Sequence, residues 1–238
     1  MAKSAKVEPS ALGLKIVKLL EGIPLSALEE LARQCRWRRV AEGQHVISRD
    51  ARDNDLYLIV AGRVRAAAYS AGGRQVTFRE IRAGEWFGEL AAIDGQSRSA
   101  DVVALEDSLV AAMSPPVFRR LLHEHAVVCD RILLRLAISV RELSERVYEF
   151  SSFGVQNRVH AELLRLARQV GVKDNIARID PAPGHAQIAS NISTYREQVT
   201  RELSAMVKQG LVKRSGRALV IPNVEQLESI VASMRRSG

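Results

Sequence analysis

The chain has 238 residues, 47% hydrophobic and 26% charged, with a net charge of +8. That length allows one or two domains with real cores, and the composition is that of an ordinary soluble globular protein. Cys35 and Cys129 lie far apart, which excludes a C-x-x-C pair or a disulfide framework, fits a reducing compartment and leaves packing as their expected role.

The excess charge is uneven. Residues 151–238 hold 13 Lys and Arg against 7 Asp and Glu (+6), whereas residues 1–150 hold 22 against 20 (+2). The C-terminal part is expected to meet a polyanion, the alternative being a charge that serves solubility alone.

Residues 1–10 read as a frayed polar lead. Helical spacing predicts helices over 12–20 and 24–34, with Pro24 in the first helical turn of the second. The run 12–20 is broken by Gly13, Lys15 and Lys18, so it is too short and too charged for a signal sequence or a membrane span. A cytoplasmic protein without a membrane partner is expected.

From 37 to 113 short β-prone runs recur, at 37–40, 45–48, 56–61, 64–69, 75–81, 100–104 and 109–113. Turn signals such as Asp53-Asn54-Asp55 and Gly72-Gly73 separate them, the latter resembling a hairpin turn. The rhythm predicts an antiparallel barrel or jelly roll. One long interruption stands out, EWFGELAAIDGQSRSADVV from Glu85 to Val103. Gly88 and the N–H groups of a short helical turn can approach an anion closely. Arg98 can close over it with a two-pronged fork, and Glu89 can accept from hydroxyls. An acid beside an anion site suits a phosphate carried on a sugar. The same spacing also fits a β-turn-β connection with a surface salt bridge.

Pro115-Pro116 is expected to end the strand region, with helices over 117–124 and from about 126 to 151. Along the second, Ala126, Cys129, Leu133, Leu136, Val140, Leu143, Val147 and Phe150 alternate spacings of three and four. Such a seam wants a partner helix, and a parallel homodimer is expected, packing against its own domain being the alternative.

The remainder reads as a helix over 158–170, a loop around Asp180-Pro181-Ala182-Pro183-Gly184, a short helix from His185 to 191, a tight turn at Ile192-Ser193 and a helix over 194–208. Thr194 is the expected N-cap, answered by Glu197 in a capping box. A two-stranded wing over 210–221 and a last helix over 223–234 complete a winged helix-turn-helix. Val199 and Leu203 face inward, while Arg196, Glu197 and Arg201 lie outward, where arginine can bind guanine and glutamate can accept from cytosine. The expected partner is double-stranded DNA.

These two motifs, Phe87-Gly88-Glu89-Leu90 through Arg98-Ser99-Ala100 and Arg196-Glu197 with Arg201, resemble those of the CRP/FNR family of bacterial transcription regulators. The resemblance covers nearly all of 37–221. It implies an α+β chain with an N-terminal β jelly-roll cyclic-nucleotide-binding domain with leading helices (1–125), a long dimerisation helix (126–152) and a C-terminal winged helix-turn-helix (153–238). It assigns Glu89 to a ribose hydroxyl, and Arg98, Ser99 and the Ala100 amide to a cyclic phosphate. DNA contact is implied for His185, Thr194, Tyr195, Arg196, Glu197, Thr200 and Arg201, and RNA polymerase as a further partner. In the cyclic-AMP-binding branch a Thr-Ser pair on the long helix reaches the adenine. Here it is Leu143-Ser144, so the effector is cyclic AMP or cyclic GMP. The iron–sulfur branch carries N-terminal cysteines absent here, and His123 and His125 do not share a helix face as a haem pair would. Two alternatives are a regulator with a vestigial pocket or another effector, which Glu89, Arg98 and Ser99 argue against, and a cupin-type metalloenzyme fused to a DNA-binding domain. The latter needs clustered ligands, and His45 is the one histidine of the strand region. Neither a metal nor catalysis is expected.

Overall fold

The computed structural model describes residues 8–49, 51–69 and 75–236. The hairpin turn expected at Gly72-Gly73 and most of the polar lead fall outside them. The chain divides into two compact units, one holding residues up to Ala68 with Thr77–Ser139, the other Tyr69–Val76 with Val140–Gly238.

In the first unit, α1 (Ala11–Lys15), a single 3-10 turn (Lys18–Leu20) and α2 (Leu25–Gln34) precede the strands. The continuous helix expected over 12–20 is thus interrupted, and Val17, in extended conformation, caps the 3-10 turn. Pro24 is the N-cap of α2 rather than part of its first turn. Eight strands follow: β1 (Arg36–Val40), β2 (His45–Ile47), β3 (Leu56–Ala61), β4 (Arg63–Tyr69), β5 (Gln75–Arg82), β6 (Trp86–Phe87), β7 (Asp101–Ala104) and β8 (Ser108–Met113). They form two four-stranded sheets, in the orders β1-β8-β3-β6 and β2-β7-β4-β5, with antiparallel pairing. This is the expected jelly roll. Strand β6 was not expected; two residues are too few for a period to show.

Strand β3 explains how the unit is built. Its side chains alternate between two cores. Tyr57 and Ile59 point between the sheets, with Val64, Ile81, Phe87, Val102 and Val110. Leu56 and Leu58 point to the other side, where they meet Leu14, Leu28, Phe118, Val128 and Ile132. A strand buried on both faces reads as a continuous apolar run, which is how LYLIV looks.

Helix α3 (Glu89–Asp94) interrupts the strands. Pro115-Pro116 do not merely end the sheet; they supply the first turn of α4 (Pro115–Glu124), where a missing N–H costs nothing. The 27-residue α5 (Ala126–Ser152) follows. Burial pushes the Cys35 thiol up to about 12, so this cysteine is a packing group.

The second unit contains α6 (Val155–Val170), β9 (Ala177–Ile179), α7 (His185–Asn191), α8 (Arg196–Lys208), β10 (Lys213–Ser215), β11 (Ala218–Ile221) and α9 (Val224–Arg236). The wing is three-stranded, in the order β10-β11-β9, not two-stranded. The third strand comes from the segment before the Asp180 loop and pairs through Ile179 with Leu219, a long-range contact that no local pattern announces. Val159, Leu163, Ile188, Val199, Leu203, Met206 and Leu227 form one core.

Candidate nucleotide pocket and nucleic-acid interface

Gly88 sets the geometry of the first site. Its φ of 87° is left-handed, and it caps α3. A Cβ there would stand 2.7 Å from Arg98 Nη1 and 2.9 Å from the Asp55 carbonyl oxygen, so only glycine fits. The Arg98 side chain, 4% exposed, runs inward past it. Nη1 donates to the Gly88 carbonyl at 3.2 Å, and Nη2 donates to the Asp55 carbonyl at 2.8 Å and to Asp53 Oδ2 at 2.9 Å. The guanidinium also lies over the Tyr57 ring, 5.5 Å from its centroid, and Tyr57 stacks on Phe87. The Tyr57 hydroxyl donates to Asp53 Oδ2 at 2.6 Å, and this bond with the Arg98 pair holds the Asp53 carboxyl below its usual range in spite of burial. The salt bridge of Arg98 is therefore half-buried, its guanidinium inside and the Asp53 side chain 30% exposed, rather than a bridge between two surface groups.

Among the buried polar atoms that have no partner among the described residues are Nε of Arg98, a donor, and Oε2 of Glu89, an acceptor on the residue next to Gly88. Ser99 and Leu90 are exposed and Ala100 half-buried, around the same turn. Phe87 is buried as part of the core. Leu143 and Ser144 belong to the second unit. Leu143 is exposed, and Ser144 turns its hydroxyl back along α5 to the Val140 carbonyl at 2.9 Å. Asp53 and Tyr57 were not foreseen, because Asp53-Asn54-Asp55 carries the composition of an ordinary turn.

In the second unit, Ser193 takes φ 54° at the tight turn, a left-handed conformation that costs a non-glycine residue roughly 1 kcal/mol. That turn delays the helix. The N-cap of α8 is Tyr195, with no side-chain cap, and α8 starts at Arg196. The capping box expected between Thr194 and Glu197 is not formed. Thr194 is buried instead; its N–H donates to the Ala189 carbonyl at 2.9 Å and its hydroxyl bonds to the Gln198 side chain. Val199, Leu203 and Met206 bury one face of α8. Tyr195, Arg196, Glu197, Thr200, Arg201 and Ser204 are exposed on the other. His185 stands beside them, its Nδ1 2.7 Å from Thr200 Oγ1.

A polar network sits behind this interface. Arg165 bonds Glu149 at the end of α5, at 3.0 Å, and pairs with Glu162 on its own helix. Asn191 of α7 donates to Glu162 at 2.6 Å. Glu149 and Glu162 are both buried. Sequence alone gave no sign of it, since three helices contribute.

A model of the cyclic nucleotide-binding domain matches residues 37–125, and one of the Crp-like helix-turn-helix domain matches residues 157–230. The chain is 31% identical over 176 residues, 74% of its length and 78% of the relative's, to a protein of Thermus thermophilus described as cyclic AMP receptor protein. The chain belongs to the CRP/FNR family. It is thus a DNA-binding transcription regulator in which a cyclic-nucleotide-binding domain precedes a Crp-like helix-turn-helix. Among solved structures, a CooA variant from Carboxydothermus hydrogenoformans superposes with a TM-score of 0.77 at 17% identity, covering 96% of this chain and 98% of that one. The c-di-GMP responsive global regulator CLP of Xanthomonas campestris gives a TM-score of 0.68, also at 17% identity, over 83% and 99%. At such identities the likeness is one of fold. Among the described residues of this CRP/FNR regulator, no helix is long and apolar enough to cross a membrane, and no cluster of three or more His, Cys, Asp or Glu is placed to hold a metal ion.

Proposed function

We propose that the protein is a cyclic-nucleotide-responsive, sequence-specific DNA-binding regulator that works as a homodimer, with cyclic AMP or cyclic GMP as effector. The carrying observation is a complementary pair of unsatisfied buried atoms on the two residues that the motif pairs around Gly88: Glu89 Oε2, which would accept from a ribose hydroxyl, and Arg98 Nε, which would donate to a cyclic phosphate. Buried polar groups are nearly always paired, so an orphaned donor and an orphaned acceptor in one motif are what a ligand with a hydroxyl and a phosphate would satisfy. Ser99 and the Ala100 amide complete the phosphate cradle. The Thermus relative, described as a cyclic AMP receptor protein, supports cyclic AMP. Leu143 carries no hydrogen-bonding group for a purine, which keeps cyclic GMP in the reading and leaves the base to Ser144.

The homodimer rests on α5. Leu133, Val140, Leu143 and Val147 are 58, 62, 53 and 63% exposed. Four apolar side chains along one helix need cover in water. Val128 and Ile132, by contrast, pack into the first unit, so the helix serves its own domain on one face and a partner on the other. A nucleotide that binds the DNA-competent packing of this seam more tightly shifts the population toward it, with a coupling of about 1–3 kcal/mol. Two α8 helices would then enter successive major grooves about 34 Å apart. Arg196, Glu197 and Arg201 read bases there, and RNA polymerase is the partner that such a regulator meets on DNA.

Calorimetric titration of cyclic AMP, cyclic GMP and c-di-GMP into one preparation, each followed by a gel-shift assay, tests the reading. Cyclic AMP or cyclic GMP should bind and raise DNA affinity. Silence with both, or a response to c-di-GMP alone, would overturn the effector assignment.

A further inference from the structure

His185 opens α7 and bridges two other elements. Its Nδ1 lies 2.7 Å from Thr200 Oγ1 on α8, and its Nε2 lies 3.3 Å from Nη2 of Arg214 on β10. A guanidinium can only donate, so Nε2 accepts and the ring proton sits on Nδ1. Nδ1–H then donates to Thr200, whose hydroxyl donates to the Arg196 carbonyl at 2.9 Å. Three hydrogen bonds run in one direction, from the wing through α7 to the helix that carries Arg196. The charged groups acting on the ring are both cations, Arg214 and Arg196. Together with burial, the larger cause, they hold the imidazole below its usual range, which keeps it neutral and able to accept.

The wing's other arginines are placed differently. Arg178 and Arg217 both pair with Asp180, at 3.4 and 3.3 Å. Arg214 meets a neutral ring and has no carboxylate partner among the described residues. It is exposed and tethered to His185 at the start of α7, which in turn bonds Thr200 of α8. We propose that Arg214 is the wing's ligand for a DNA phosphate, and that His185 is a positioning residue that aims it. His185 acts through Arg214 and Thr200 rather than by touching DNA. This rests on α8 being the helix that enters the groove.

The test uses the full chain and a duplex enriched from a randomised pool of roughly 30 base pairs, long enough for two half-sites. Arg214→Ala should weaken binding to the enriched duplex and to an unrelated one alike, and lower the slope of log affinity against log salt by about one per protomer. Arg214→Gln, which keeps the stem, should give the same change in slope if alanine lowers the melting temperature. His185→Ala should weaken binding about tenfold, the effect of losing one hydrogen bond to a charged group. In the Arg214→Ala background it should cost almost nothing. His185→Gln, whose amide both accepts and donates, should restore most of the loss. An unchanged salt slope for both Arg214 variants, or full additivity of the His185 and Arg214 changes, would overturn the proposal. Arg196→Ala keeps the two readings apart: it should relax base preference, and if preference stays intact while the His185–Arg214 coupling persists, α8 as reader fails and the wing assignment stands.

Discussion

Asp53 Oδ2 stands 2.9 Å from Arg98 Nη2, so the guanidinium assigned to the cyclic phosphate is already ion-paired inside the protein. The proposed anion site would thus meet a resident carboxylate, itself fixed by Tyr57. Asp53→Asn removes the competing charge. Nucleotide affinity should rise by about three- to tenfold, whereas the ligand-free domain should lose roughly 1–3 kcal/mol because a buried cation loses its partner. Calorimetry and thermal melts measure the two effects separately, and a variant that binds more weakly would show that Asp53 supports Arg98 rather than competing for it.

Gly88→Ala places a Cβ into the space of Arg98 Nη1 and the Asp55 carbonyl, at a left-handed φ. The strain is about 1–2 kcal/mol from the backbone alone. Arg98 has to move, so nucleotide binding should fall far more than stability does. Binding that survives intact in the alanine variant would detach the Arg98 geometry from the site.

Arg165→Ala removes from the buried Glu149 and Glu162 a cation that bonds both, and leaves Arg146 as a remaining cation acting on the two carboxylates. Removing one partner of a fully buried pair costs about 3–5 kcal/mol; with Arg165 partly exposed and Arg146 still in place, the loss should be smaller, about 1–3 kcal/mol. Denaturant unfolding should show that loss in the second unit, with restoration in part by Glu162→Gln.

His160 is 3% exposed, and neither ring nitrogen has a partner among the described residues. Burial lowers its pKa, with Glu202 opposing the shift. The folded chain holds the ring neutral, whereas the unfolded chain takes up a proton below about pH 6.5. Stability contributed by this site is therefore complete above that pH and is lost as pH falls, by at most about 1.4 kcal/mol per pH unit. Urea titrations at several pH values should show the loss, and His160→Leu should remove most of it.

Leu143→Lys with Val147→Lys puts two cations on the exposed stripe of α5. Light scattering should turn from dimer to monomer at micromolar concentration, and DNA affinity should collapse because two linked half-sites become one. A wild-type monomer would already sink the dimer.

Much of this protein is legible in its sequence because the signals are local. Short β-prone runs between Gly and Asp turns foretell the strands. The seam foretells the exposed apolar Leu133, Val140, Leu143 and Val147 of α5, and Gly88-Glu89 followed by Arg98 foretells the turn at which the arginine meets the Gly88 carbonyl. The spacing of Val199 and Leu203 says which face of α8 is buried. What the tertiary structure decided depends on partners distant in the chain. Asp53 looks like a turn residue until folding sets it against Arg98, 45 positions away. Ile179 becomes a strand by pairing with Leu219. The left-handed Ser193 shifts the N-cap from Thr194 to Tyr195, because a capping pattern yields when the chain must first turn and bury Thr194. Local pattern determines which elements form and which face is wet. The pairing of charges is settled by three-dimensional proximity, since a buried ion keeps its charge only where folding delivers a counter-ion or a hydrogen-bond partner.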